Sequence, residues 1–224
     1  DFKFEKRRPP LGWRILYAIA YAAVFRALRD RLGFSRVRSA MTGGAALMDM
    51  GPHILDLAMW LSGHWTPTSV SAQTYAKFGP DMKNYKYIAM WAGPPKLNGA
   101  FDVDDYVAGI IRFGKDATLS FEVSWAANCQ GADSIELLGD KGGVRVEGKQ
   151  PLTIFTEDDD GMVDVTPQFD EKGNPFERQA ATFLAAIRGE APPAATGQQG
   201  LTIMRLLDAI YHSAERGAEA PVQI

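Results

Sequence analysis

Apolar and polar residues alternate without a break from Ala117 to Trp125: Ala117, Leu119, Phe121, Val123 and Trp125 fall on one side, Thr118, Ser120, Glu122 and Ser124 on the other. A period of two is that of a strand with one face on a core and the other in water. The apolar run from Tyr106 to Phe113 precedes it, and Gly114-Lys115-Asp116 joins the two, so a hairpin is predicted. An earlier strand is set out by Val70, Ala72, Thr74 and Ala76. Ser134 to Leu138 and Val144 to Glu147, linked by the glycine-rich turn Gly139 to Gly143, form a second hairpin. Shorter strands near Leu152 to Phe155 and Met162 to Val165 bracket the acidic stretch Glu157 to Asp160.

Elsewhere the period lengthens to that of a helix. From Arg14 to Leu32 the residues Leu16, Ile19, Ala23, Leu28 and Leu32 recur among arginines, and Gly33 ends the pattern. A second helix is predicted from near Ala45 to about Leu61, stopped by Gly63 and Pro67, with Leu55, Ala58, Met59 and Trp60 buried. Pro52 lies inside it and, lacking an N–H, predicts an irregular start or a kink close to His53. Two helices close the chain: Pro175 to Arg188, with Phe176, Phe183, Leu184 and Ile187 turned inward, and Leu201 to Arg216, with Met204, Leu207, Ala209 and Tyr211 turned inward. Residues 84–102, with Pro94 and Pro95, read as a long irregular excursion. Strands and helices do not alternate, so the expected class is α+β: an open, mostly antiparallel sheet with helices packed on one face, and no Rossmann domain.

Composition bounds the function. A chain of 224 residues, 46% of them hydrophobic, holds one large or two small domains with a real core. The net charge of -3 argues against nucleic-acid binding. The charge is uneven, however: residues 1–40 carry ten Lys or Arg and three acids, leaving fourteen basic and twenty-four acidic residues in the remainder. The longest apolar run, Ile15 to Phe25, has eleven residues, short of the roughly 20 that cross a bilayer. No membrane span is expected, and the arginines that follow the run argue against an export signal. The single Cys129 rules out an intrachain disulfide and fits a cytoplasmic setting.

Among chemical candidates, Asp49 and His53 stand four residues apart, one helical turn, so a carboxylate can orient an imidazole that takes a proton from a substrate hydroxyl. The same spacing also describes a structural helix histidine with an incidental carboxylate, and Asp56 is either a surface residue or a second partner of His53. His64 at a helix end and His212 on an exposed helix face need no special role. Glu157 to Asp160 lacks the alternating spacing of a calcium loop, and no metal site is expected. Lys141 is followed by glycine and flanked by strands, so Gly139 to Gly143 is a hairpin turn and not a phosphate loop. No two of the 22 glycines are separated by a single residue, which excludes the G-x-G-x-x-G dinucleotide fingerprint, and no G-x-S-x-G occurs.

Four segments in order carry a resemblance: GGAALMDMGPHILDLAMWLSG from Gly43, DDYVAGIIRFGKDATLSFEVSW from Asp104, IELLGDKGGVRVEG from Ile135, and FERQAATFLAAIRGEAPP followed by GLTIMRLLDAIYHSAERG. From about residue 43 to the end, the chain resembles the C-terminal substrate and oligomerisation domain of the Gfo/Idh/MocA oxidoreductases. The resemblance implies the substrate-binding half of an enzyme that uses NAD or NADP to oxidise or reduce a sugar, cyclitol or similar polyol by hydride transfer. It implies His53 as the acid/base and Asp49 as its partner or a substrate ligand, and homo-oligomers formed through the open sheet face around Thr118 to Ser124. The family's catalytic lysine, in a Glu-Lys-Pro motif, has no counterpart in Glu5-Lys6-Arg7. No cofactor-binding residue is identified, so the chain is expected to be inactive alone.

Residues 9–47 resemble an internal segment of AMP-forming long-chain acyl-CoA synthetases, and both resemblances claim Gly43 to Leu47. A chimeric junction is therefore expected there, with residues 1–42 a basic helical arm and 43–224 the oxidoreductase domain. Two alternatives remain at this stage: a non-catalytic binding or oligomerisation module, and an acyl-CoA synthetase remnant.

Overall fold

The computed structural model describes residues 45–84, 101–128, 134–147, 152–169 and 173–223. All of these lie in one compact unit, Gly43–Ile224. The expected helix over Arg14 to Leu32 and nearly all of the excursion over residues 84–102 fall outside the described residues.

The unit is α+β. A π-helical turn, Ala46–Met50, runs directly into α1, Gly51–Ser62. The strands follow: β1 Ser69–Tyr75, β2 Tyr106–Phe113, β3 Ala117–Ser124, β4 Ser134–Gly139, β5 Gly142–Glu147, β6 Thr153–Asp158 and β7 Gly161–Val165. Then come α2, Pro175–Arg188, α3, Gly197–Arg216, and the two-residue β8, Ala220–Pro221. Every strand pairing is antiparallel, as expected, but the strands form two four-stranded sheets, ordered β3-β2-β1-β8 and β4-β5-β6-β7, where one open sheet was predicted.

The core belongs to the first sheet. Val70 of β1, Val107 and Ile111 of β2, and Phe121 and Val123 of β3 pack with Leu47, Leu55 and Met59 and with Ile203, Leu206, Leu207 and Ile210 of α3. The alternation from Ala117 to Trp125 therefore reads correctly: Phe121 and Val123 are buried, while Thr118, Ser120 and Glu122 are exposed. Gly51 faces this core: a Cβ there would lie a tight 3.0 Å from Leu47 Cδ1 in the π-helical turn and an ordinary 3.6 Å from Leu207 Cδ2 of α3. Ser213 fastens α3 to the sheet, its Oγ accepting the Ala72 N–H at 2.9 Å and donating to the Ala218 carbonyl at 2.8 Å.

Three inward-facing predictions fail. Trp60 is 61% exposed because it lies on the side of α1 opposite Leu55 and Met59. Phe176, Phe183, Leu184 and Ile187 are all exposed: α2 has the amphipathic pattern, but none of its residues is buried. Met204 is half exposed on α3, whose buried side is Ile203, Leu206, Leu207 and Ile210, while Tyr211 is half-buried. The last helix also begins four residues before its predicted start. Thr196 and Gln199 form a reciprocal cap, each side chain bonding to the other's backbone N–H, which draws Gly197 to Gly200 into the helix.

Candidate active site

Pro52 explains the local shape of the site. It has no N–H for the Met48 carbonyl, and its ring would crowd that carbonyl in a regular α-helix. The chain widens by one residue instead, so that the Gly51 N–H bonds to the Ala46 carbonyl five residues back. Such π-helical insertions often occur at functional sites. Asp49 lies in the widened turn and His53 two residues into α1.

Both are exposed, and together with Leu57 and Trp60 they mark the solvent side of the helix; Leu47, Gly51, Leu55, Ala58 and Met59 mark the buried side. No hydrogen bond or ion pair joins Asp49 to His53 in the described structure. Asp56 is half-buried. The left-handed Gly63, φ 73°, ends the helix. His64 turns away, its Nδ1 2.9 Å from the Ser62 carbonyl and its ring 5.8 Å from that of Phe113. His212 is exposed on α3 beside Asp208 and Glu215, at 3.6 and 3.7 Å.

Two acids not singled out from the sequence, Asp104 and Asp105, stand just before β2, and Asp104 meets the start of the π-helical turn. Asp104 is 6% exposed. Its Oδ2 accepts the Leu47 N–H at 2.6 Å, its Oδ1 accepts the Tyr211 hydroxyl at 2.6 Å, and its carbonyl accepts the Ala46 N–H at 2.8 Å. Burial, then the hydrogen bond to Asp104, then the charge of Asp104 push the Tyr211 phenol well above its ordinary range, so it stays a donor. Asp105 is fully buried, and its Oδ2 accepts three successive N–H groups, from Lys77 and Phe78 at 2.6 Å and from Gly79 at 3.0 Å; its Oδ1 has no partner. The signal was available: two adjacent carboxylates opening an apolar strand are costly to bury without donors.

Among the described residues no three His, Cys, Asp or Glu gather into a group able to hold a metal ion, and no helix is long and apolar enough to cross a membrane. The acidic stretch turns the β6–β7 hairpin, where Asp158 Oδ1 accepts the Asp160 and Gly161 N–H groups at 2.9 and 3.2 Å.

Residues 32–224 match the model for the oxidoreductase family C-terminal alpha/beta domain. The chain belongs to the Gfo/Idh/MocA family. It is 29% identical over 179 residues to D-glucoside 3-dehydrogenase of Escherichia coli (strain K12), covering 79% of this chain and 48% of that protein. It is also similar to the WlbA dehydrogenase of Bordetella pertussis, solved with NADH and UDP-GlcNAcA: 26% identity, TM-score 0.54, 81% of this chain and 46% of that one. A levoglucosan dehydrogenase solved with NADH shares the fold, with TM-score 0.64 at 21% identity, 83% of this chain and 52% of that one. The chain thus spans about half the length of these Gfo/Idh/MocA relatives. The family match begins at residue 32, upstream of Gly43 to Leu47. That segment therefore falls inside the oxidoreductase domain, and the comparisons give no support to a junction with an acyl-CoA synthetase.

Proposed function

We propose that this chain is the substrate-binding half of an oxidoreductase that moves hydride between NAD or NADP and a sugar, cyclitol or similar polyol. Family membership over residues 32–224 carries the reading. Oxidising a carbon that bears a hydroxyl requires the hydroxyl proton to leave as well, and a neutral imidazole with a pKa near 6.5 is suited to take it. His53 holds that proton at a ring nitrogen and returns it in the reverse direction. Asp49, on the same exposed side of the helix, orients the ring or binds a neighbouring substrate hydroxyl.

A dinucleotide supplies the hydride acceptor in such a reaction, but the residues of this chain do not fit one. No glycine pair has the fingerprint spacing that brings a backbone against a dinucleotide pyrophosphate. The chain by itself is accordingly proposed to be inactive. A cytoplasmic setting, homo-oligomers formed through the exposed side of β3, and a boundary before residue 43 belong to the same proposal. A strictly monomeric chain in light scattering would remove the second of these.

The name of the Escherichia coli relative makes a methyl D-glucoside the first ligand to try. Isothermal titration is expected to show weak binding that His53→Ala reduces about tenfold, equivalent to about 1.4 kcal/mol. Equal binding by the variant would remove His53 from the site. No binding of NAD or NADP is expected, and micromolar affinity for either would overturn the reading of the chain as a cofactor-free half.

A further inference from the structure

We propose that Asp104 is a positioning residue for Asp49 and His53, holding the start of their helix in place, with Tyr211 acting through it. The inference rests on the reading of Asp49 and His53 as the reacting pair.

A helix begins with N–H groups that have no partner inside it, and a local side chain ordinarily caps them. The residue in the capping position here is Ala45, whose side chain has no acceptor and makes no such bond. Asp104 supplies two acceptors from a segment distant in sequence, one carboxylate oxygen for Leu47, 57 residues away, and the carbonyl for Ala46. A carboxylate is well suited to this place because it faces the positive end of the helix and makes short, charge-assisted bonds. Its second oxygen is taken by Tyr211, so the start of the catalytic helix and the C-terminal part of α3 share one carboxylate.

Asp104 is itself fixed. The next residue donates its N–H to the Tyr75 carbonyl at 2.9 Å, and the Asp105 carboxylate is gripped by residues 77–79. Ala46 and Leu47 are also buried in the core, while the backbone that follows them is irregular. The turn over Ala46–Met50 is π-helical, Pro52 donates no hydrogen bond, and Asp49 itself sits only two residues beyond Leu47. A rigid clamp at Leu47 therefore sets where Asp49, and one turn later His53, meet solvent.

Carbon-13 NMR of the imidazole Cε1 groups tests this without requiring turnover, and the three histidines provide internal controls. In Asp104→Ala the His53 resonance is expected to shift while His64 and His212 stay in place. Asp104→Asn, which keeps one acceptor oxygen, should restore part of the wild-type position, and Tyr211→Phe should move His53 least. A folded Asp104→Asn or Tyr211→Phe protein with His53 unmoved, or movement of all three histidines together, would overturn the proposal and leave Asp104 a general support of the core. If Asp104→Ala does not fold, the other two variants decide. Methyl D-glucoside added to the wild-type chain separates the two readings: no response at His53 would count against the proposed function, while the variant shifts would still measure the clamp.

Discussion

The two sheets of this domain are built from similar strands and hold them by different means. In the first, β3-β2-β1-β8, α1 and α3 bury Val70, Val107, Ile111, Leu55, Met59, Leu206 and Ile210. In the second, β4-β5-β6-β7, no residue is buried; Leu138 is 84% and Met162 81% exposed, and α2 buries nothing either. What the second sheet has instead are surface pairings across its strands. Arg145 bonds to Glu136 at 2.6 Å and lies 5.4 Å above the Phe155 ring. Exposed pairs of this kind contribute little, whereas each buried aliphatic side chain contributes about 1.5–3 kcal/mol. Stability and the candidate site therefore reside together in the first region, and the helix that carries Asp49 and His53 is also a wall of the core.

The largest effect is expected from truncating the side of α3 that packs against that wall. Leu207 is almost fully buried and approaches Gly51 of α1. Leu207→Ala is expected to cost about 2–5 kcal/mol in urea unfolding. Ile154→Ala in β6, where the side chain is only half covered, is expected to cost about 1 kcal/mol. Similar losses from the two substitutions would end the contrast between the sheets.

The contrast was only partly legible in the sequence. Alternation marked β1 and β3, and apolar runs between turn residues marked the other strands up to β7; the first helical face was right at Leu55, Ala58 and Met59, because periodicity reports which residues share a side. It does not report whether anything covers that side. α2 shows the limit: Phe176, Phe183, Leu184 and Ile187 share a side as expected, and all are exposed. Trp60 failed for a related reason, since one wide apolar stripe on α1 contains both the core face and part of the solvent face. Pro52 announced an irregularity near His53, and the π-helical turn is its form. Asp104 remained hidden because its partners, Leu47 and Tyr211, are 57 and 107 residues away, and no local spacing encodes such a contact.

A smaller, pH-dependent effect sharpens the description of the first region. The Tyr211 phenol is pushed upward by burial and by Asp104, so the fold favours its protonated form. The stability it lends is fully present below the ordinary phenol value near 10 and is lost as pH rises beyond it. The wild-type melting temperature should accordingly fall more steeply above about pH 10 than that of Tyr211→Phe. At neutral pH the variant should lose about 1.5 kcal/mol, the low end for a bond to a charged group because Tyr211 is only half-buried. Parallel alkaline melting curves for the two proteins would mean that the phenol does not feel Asp104.

The smallest effect is expected on α2. Phe183 and Ile187 are each 66% exposed on one side of a helix whose cap, Asn174 Oδ1 accepting the Phe176 N–H at 2.9 Å, does not depend on them. Replacing either by Ser removes little buried area, so the unfolding free energy should change by about 0.5 kcal/mol or less, with Phe183→Ser also raising solubility because an exposed aromatic is lost. The result is informative in its failure. A loss of several kcal/mol that grows with protein concentration would mean that a second molecule covers this helix in solution. The lack of burial across the second region would then belong to the isolated chain, not to the protein as it is held in an assembly.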